Sequence, residues 1–304
     1  MKLGILCSRI RLEEKLIFKA LKERGVEYDR LDERHLALRL QANGPSTSSG
    51  HCLAEGACPE PCPERSRRGS ERYDLIWCRS ISHSRALYAF SILNGWGIRT
   101  VNSYQVVLTC GDKVLTTMAL IRHGVPTPRT VVALSIEAAL RAIEEMGYPV
   151  VLKPAVGSWG RLLSKVNHRE TAEAVLMHKA ALGGPMHSVF YIQEYVDKPS
   201  RDIRTLVVGD EVVYAIYRRS AHWITNTARG GKALPCPLSS EIRELSLAAA
   251  QAVGGGILAV DLMETDDGRL LVGEVNHTPE FHGAMQAVDV DIAGKMADYV
   301  LQQA

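Results

Sequence analysis

Residues 257–281, ILAVDLMETDDGRLLVGEVNHTPEF, carry two apolar runs on either side of a DDG triplet. Two such runs around a tight polar turn predict a β-hairpin. Asp261 stands inside the first run, where a charge is costly unless it is paired or metal-bound. Glu274 and Asn276 lie two places apart in the second run, so both project from the same face. The hairpin sets Asp261 beside them. An isolated E-x-N would read as a solvated strand edge, and an isolated aspartate as an acceptor for backbone amides. Three oxygen donors converging from two strands point instead to a cation site, because carboxylate and amide oxygens are the hard ligands that Mg²⁺ takes.

Working outward from the hairpin, FYIQEYV, DIRTLVV and EVVYAIYRR read as strands, the last two joined across a GD turn. SSEIRELSLAAAQAVGG reads as a helix opened by a Ser–Glu capping pattern, and a final helix runs to the C-terminus. Upstream lie strand TVVAL, helix SIEAALRAIEEMG, strand PVVLKPAV, the glycine-containing GSWGRL, strand LSKV and helix HRETAEAVLMHKAALGG. Before the double-proline break VPTPRT, short strands alternate with helices, the pattern of an open α/β layer with a mainly parallel sheet. The last element of that layer, SYQVVLTCGDKVLTTMALIRHG, is predicted as one helix. The expected organisation is an α/β domain over residues 1–123 and two α+β lobes over 124–195 and 196–304. Residues 43–72, rich in Gly, Pro and Ser and without any period, are predicted to be a loop or disordered insertion, to which no function is assigned.

Composition excludes several classes. At 304 residues, 46% hydrophobic and 23% charged, the chain is an ordinary globular protein rather than a disordered one. A net charge of +2 does not mark a nucleic-acid binder. No apolar run approaches the ~20 residues of a membrane span, and the N-terminus turns charged too early for a secretory signal. A cytoplasmic protein is expected, with no membrane and no nucleic-acid partner. The seven cysteines then read as free thiols. Cys52, Cys58 and Cys62 crowd together without standard zinc spacing and read as incidental.

Other residues suit phosphate chemistry. Lys153 ends a buried strand stopped by a proline and can present a point charge to phosphate oxygens. Gly157 and Gly160 in VGSWGR can let backbone amides approach and cover phosphates, although G-x-x-G alone is a weak signal. Glu194 ends the strand of QEYV, where free backbone groups suit an adenine edge. Arg204, Arg218, Arg219, Asn226 and Arg229 fall near the carboxylate platform. Of the neighbours Arg218 and Arg219, strand alternation points one inward and the other to solvent. Inward arginines would stabilise charge developing during phosphoryl transfer. Walker A, G-x-S-x-G and G-x-G-x-x-G patterns are all missing, leaving a non-P-loop nucleotide site as the economical reading.

With these parts in this order, the chain resembles the ATP-grasp carboxylate–amine ligases. The carrying motifs are RSISHSRALY, GDK, VLKPAVGSWGRLLSKV, QEYVDKPSRDIR, YRRSAHWITNTARGG, AVDLME and GEVNHTPEF, which span nearly all of the chain outside residues 43–72. Within that superfamily it is similar to the RimK-like branch of ribosomal-protein glutamate ligases, and most of all to the α-aminoadipate–LysW ligases of carrier-protein lysine biosynthesis. The resemblance implies an ATP-grasp fold with an N-terminal pre-ATP α/β domain, a small lid lobe and a C-terminal lobe. It implies that Lys113 and Lys153 bind ATP phosphates under a lid of Gly157, Ser158, Trp159 and Gly160. Glu194, Tyr195 and Val196 would form the adenine hinge, and Asp261, Glu274 and Asn276 would hold Mg²⁺. Arg204 and Arg218 would steady the acyl phosphate and tetrahedral intermediate. Asn226, Arg229, His277 and Thr278 would contact the amino-acid substrate or the intermediate, with Arg79, Ser80 and His83 on the substrate side of the first domain. The implied partners are α-aminoadipate and a small acidic LysW-like carrier protein, and the implied assembly is a dimer or tetramer. Glutamate as the amino acid, as in arginine biosynthesis, is the alternative substrate, and a RimK-like ligase adding glutamate to a ribosomal protein is a further enzyme alternative. Pro279 inclines the reading toward α-aminoadipate. A nucleotide-binding scaffold without catalysis is the non-enzyme alternative, opposed by the intact Asp261, Glu274, Asn276, Arg218 and Lys153 set.

Overall fold

The computed structural model describes residues 1–38, 40, 73–225 and 230–304. The 43–72 segment with Cys52, Cys58 and Cys62, and the predicted substrate residues Asn226 and Arg229, lie outside the described residues. The described residues form two compact units: residues 1–107 with 278–282 and 291–304, and residues 108–277 with 283–290.

The first unit is a parallel sheet in the order β2-β1-β3-β4, from β1 (Leu3–Leu6), β2 (Tyr28–Leu31), β3 (Leu75–Cys78) and β4 (Arg99–Val101). β1 and β3 are buried throughout, as expected where helices cover a parallel sheet on both faces. α1 (Leu12–Glu23) and α2 (His83–Gly95) are the crossover helices, and Gly25, at φ 68°, takes the left-handed turn after α1. α8 (Ile292–Gln302), the chain's last helix, packs on α1.

One predicted helix is two. α3 (Tyr104–Gly111) ends and α4 (Lys113–Arg122) begins around Asp112, whose backbone is extended and whose Oδ1 accepts from the amides of Val114 (2.7 Å) and Leu115 (3.3 Å). Aspartate is a strong N-cap, and satisfying the free amides of a new helix outweighs continuing the old one. The chain passes between its two compact units within α3.

The second unit contains two antiparallel sheets. The four-stranded sheet runs β5-β8-β6-β7, from β5 (Thr130–Ala133), β6 (Val150–Lys153), β7 (Ser164–Val166) and β8 (Phe190–Glu194). One face packs on α5 (Ile136–Met146) and α6 (Arg169–Ala181) through Val150, Leu152, Phe190, Ile192, Ile143 and Leu176. Burying each such side chain contributes roughly 1.5–3 kcal/mol. The five-stranded sheet runs β11-β10-β9-β12-β13, from β9 (Arg201–Val208), β10 (Glu211–Arg219), β11 (Lys232–Pro235), β12 (Ile257–Glu264) and β13 (Leu270–Asn276). Its hairpins are the predicted ones, turning at Gly209–Asp210 and around Asp267–Gly268. The short edge strand β11 carries no period that marks it in the sequence. α7 (Ser240–Val253), capped by Ser239 Oγ, covers one face, where Thr205 Oγ1 donates to Ser246 Oγ at 2.9 Å. The other face carries the charged pairs Asp202–Arg218 and Arg204–Asp261.

Candidate active site

Register builds the polar face of the five-stranded sheet. Asp261 on β12 lies opposite Glu274 on β13 and Arg204 on β9, and Asp202 on β9 lies opposite Arg218 on β10. Residues directly opposite share a face, as do residues two apart. A bulge at Gly273 intervenes between Asp261–Glu274 and Leu262–Val272, bending β13 next to the carboxylates. Arg204 grips Asp261 with two bonds, Nε to Oδ1 at 2.7 Å and Nη2 to Oδ2 at 2.8 Å. Arg218 grips Asp202 in the same way, at 2.6 and 2.8 Å, and its Nη2 also lies 3.1 Å from Asp261 Oδ2. Arg218 is 3% exposed while Arg219 faces solvent, as strand alternation requires. Burial alone would raise the Asp261 pKa, but Arg204 and Arg218 outweigh it and hold the carboxyl down to about 2. The same pairing raises Arg204 against the burial that would lower it. Lys198 adds a cation 3.6 Å from Asp202, and its Nζ donates to Thr225 Oγ1 at 2.7 Å.

The polar face of the four-stranded sheet holds Lys153, 8% exposed, at the end of β6. Its Nζ donates to Gln193 Oε1 at 2.6 Å. Burial pushes this ammonium down to about 8; Glu274 pulls it upward, and Lys113 and Lys198 push it further down. Lys113, first residue of α4, donates its amide to Ala155 O (2.9 Å) and its Nζ to Gly157 O (2.7 Å), and the ammonium lies 3.4 Å from Glu274 Oε1. It therefore links the carboxylate platform to the glycine-containing segment after Lys153. In that segment Gly157, Ser158 and Trp159 are exposed, and Trp159 and Gly160 both have positive φ, 58° and 65°. A Cβ on Gly157 would come within 2.9 Å of Pro154 Cγ.

Other predicted positions differ from expectation. At the strand end expected to offer free backbone groups, the amides of Glu194 and Tyr195 bond to Arg129 O (2.9 Å) and Pro149 O (3.3 Å). The Glu194 carboxylate accepts from Arg129 N and Nε, each at 2.8 Å. Of the three predicted hinge residues, Glu194 ends β8, Tyr195 follows it directly and Val196 comes next. In the first unit Arg79 is no open substrate contact. It is 1% exposed, with Nε and Nη2 on Glu14 Oε1 (3.1 and 2.9 Å) and Nη1 on Pro279 O (3.1 Å), so it anchors the 278–282 segment within its own unit. Ser80, 2% exposed, donates to Glu33 Oε1 at 2.9 Å. Both are committed because a buried polar group must find a partner. Thr278 belongs to the same unit, His83 opens α2, and His277 directly follows β13 in the second unit. Asp202, Lys198, Gln193 and Tyr191 are further members of the bonded clusters around Arg218 and Lys153 that no sequence motif singled out.

The donor set fits a hard divalent cation. Among the described residues no three His, Cys, Asp or Glu side chains cluster as metal ligands, so an amide must complete any set built here. Asn276 can supply one through its Oδ1, since it follows Glu274 on the same face; its Nδ2, buried with no hydrogen-bond partner among the described residues, is a donor and would take no part in ligation. Three of the roughly four lone-pair positions of Asp261 accept arginine N–H groups, which leaves one for a cation. With arginines and lysines around them, these oxygens suit a reaction in which phosphate charge accumulates and moves.

The RimK-like ATP-grasp domain family matches residues 110–300, and the LysX preATP-grasp domain matches residues 3–52 and 63–109. The chain is 34% identical over 302 residues to the glutamate–LysW ligase ArgX of Sulfolobus acidocaldarius, covering 99% of this chain and 98% of that one. It is 37% identical over 221 residues to the α-aminoadipate–LysW ligase LysX of Saccharolobus solfataricus, covering 72% of this chain and 80% of that one. Among solved structures, the RimK domain ATP-grasp protein of Sphaerobacter thermophilus aligns with a TM-score of 0.77 at 24% identity, covering 99% of this chain and all of that one, a likeness of fold.

Proposed function

Because the chain belongs to the RimK-like ATP-grasp family and is an ATP-dependent carboxylate–amine ligase, we propose that it joins the amino group of α-aminoadipate to the C-terminal glutamate side chain of a small acidic LysW-like carrier protein. The observation that carries the chemistry is the row of paired charges across β10, β9, β12 and β13: Arg218–Asp202, Arg204–Asp261 and Glu274. The LysX relative, 37% identical, supports the choice of amino acid. The second reading takes glutamate, favoured by an ArgX relative that matches over 99% of the chain.

A carboxylate is a poor acyl donor until its oxygen leaves as phosphate. The carrier's glutamate oxygen takes the γ-phosphoryl group of ATP, giving an acyl phosphate and ADP. The unprotonated amine then attacks the carbonyl carbon, and the tetrahedral intermediate expels phosphate to leave an amide. Lys113 and Lys153 are assigned to the ATP phosphates, with Gly157 to Gly160 closing over them. Arg204 and Arg218, held in fixed orientation by Asp261 and Asp202, stabilise the negative charge of acyl phosphate and intermediate without having to reorganise. Mg²⁺, held by Asp261, Glu274 and Asn276, would supply Lewis-acid neutralisation of phosphate oxygens.

The test mixes the purified protein, Mg·ATP and a LysW-like carrier with α-aminoadipate or glutamate, and follows the carrier's intact mass. An adduct with α-aminoadipate alone is the expected result. An adduct with glutamate alone replaces the amino acid and keeps the chemistry. No adduct with either, under conditions where ATP binds, overturns the carrier as acceptor.

A further inference from the structure

We propose that Gln193 is a positioning residue of the nucleotide site: its side-chain amide, locked by Tyr191 and Thr130, aims the Lys153 ammonium and ties it to α4, the helix that begins with Lys113. This inference rests on the assignment of the two lysines to ATP phosphates and deepens it.

Strand register puts the parts together. Lys153 pairs with Tyr191 and Val151 with Gln193 across β6 and β8, and Thr130 pairs with Gln193 across β5 and β8. Lys153, Tyr191, Gln193 and Thr130 therefore share one face, while Phe190, Ile192, Val150 and Leu152 pack on the helices behind. The hydrogen bonds form one chain. Lys153 Nζ donates to Gln193 Oε1 (2.6 Å), and Gln193 Nε2 donates to Tyr191 OH (3.0 Å) and Thr130 Oγ1 (3.2 Å). Tyr191 OH lies 2.8 Å from Thr117 Oγ1. Thr117 stands four residues after Lys113, one turn further along the same side of α4.

The direction of this chain is forced. A lysine ammonium has donors only, so the amide must turn its oxygen toward Lys153 and its NH₂ toward the two hydroxyls. Reversing the amide would set donors against donors in a dry site. Gln193 is 2% and Tyr191 1% exposed, so no water stands ready to repair the loss. Among the described residues the bond to Gln193 is the only hydrogen bond of the Lys153 ammonium. Lysine is a point charge on a flexible four-carbon stem, and its direction is set by what its head touches. A glutamine with a structural role only would not need to end its chain on that head.

The test is calorimetric binding of Mg·AMPPNP to the full chain and to Lys153→Met, Gln193→Met, Tyr191→Phe and the Gln193→Met/Tyr191→Phe double variant, each checked by thermal unfolding. Gln193→Met is expected to raise Kd roughly tenfold, the size of one charge-assisted hydrogen bond, and Tyr191→Phe about fivefold. The double variant is expected to be no worse than Gln193→Met, because both act through one chain. A folded Gln193→Met with Kd within about twofold of the parent, or a double variant showing the product of the two single effects, overturns the proposal. If Gln193→Met does not fold, Tyr191→Phe decides, and an unchanged Kd there overturns it equally. Lys153→Met binding nucleotide as tightly as the parent refutes instead the assignment of that lysine to phosphate.

Discussion

Lys153 gives the site a pH signature. Burial pushes its ammonium from the usual lysine range down to about 8 in the folded protein. Its charge is therefore present below about pH 8 and is lost as pH rises through that value. If that charge meets phosphate, nucleotide affinity weakens above pH 8, approaching about tenfold per pH unit. Mg·AMPPNP titrations from pH 7 to 9.5 should show this fall, and Lys153→Arg, which stays charged, should flatten it. A parent protein with constant Kd across that range would exclude a charged Lys153 from binding. The carboxylate platform was legible in the sequence because it needs only strand periodicity and a hairpin, both local. Lys153 was legible through the proline that stops its strand. Gln193 was not, because its partner lies 40 residues away and a polar residue alternating with Phe190 and Ile192 looks like a solvated edge. The engagement of Arg79 by Glu14, 65 residues distant, was hidden for the same reason.

At the level of elements, the break at Asp112 places Lys113. Without a cap there, α4 would start with two unsatisfied amides, those of Val114 and Leu115. Asp112→Ala should cost about 1 kcal/mol of stability and Asp112→Asn close to nothing, since both carry an acceptor oxygen at the N-cap. The same pair of variants should rank in the same order for nucleotide affinity, because Lys113 reaches Gly157 and Glu274 from the first position of this helix. Guanidinium unfolding and AMPPNP calorimetry read the two effects separately. An alanine variant as stable as the parent would mean that α3 and α4 can fuse without loss, as apolar periodicity alone suggested. Periodicity runs through Cys110–Gly111–Asp112 with little interruption, so only the competition between cap and helix interior decides the boundary. Strand assignments fared better where alternation was long. β11, four residues at a sheet edge with three of them exposed, offers no such signal.

For the whole molecule, the parts of the chain that build one compact unit are far apart in sequence. Arg24, at the end of α1, bonds Asp298 on α8 at 2.5 and 2.8 Å, across 274 residues. No local pattern announces such a return, which is selected by packing α8 on α1. The opposite case is residues 53–62, where the LysX preATP-grasp match is interrupted although it holds on both sides. β2 and β3 flank β1 in register on either side of that interruption in the chain, so the sheet's pairing does not call on it. Closing the connection between them costs an entropy that varies only logarithmically with its length, so removing ten residues changes it by a few tenths of a kcal/mol, about 0.2–0.3. Deleting residues 53–62 should therefore leave the thermal midpoint within about 2 °C of the parent and the Mg·AMPPNP affinity unchanged. A midpoint lowered by more than about 5 °C would mean that this stretch contributes apolar burial or bonding to the first unit. Unchanged stability and nucleotide affinity with a slower carrier adduct would place its role instead in recognition of the carrier, since neither the sheet nor the ATP lysines would have been disturbed.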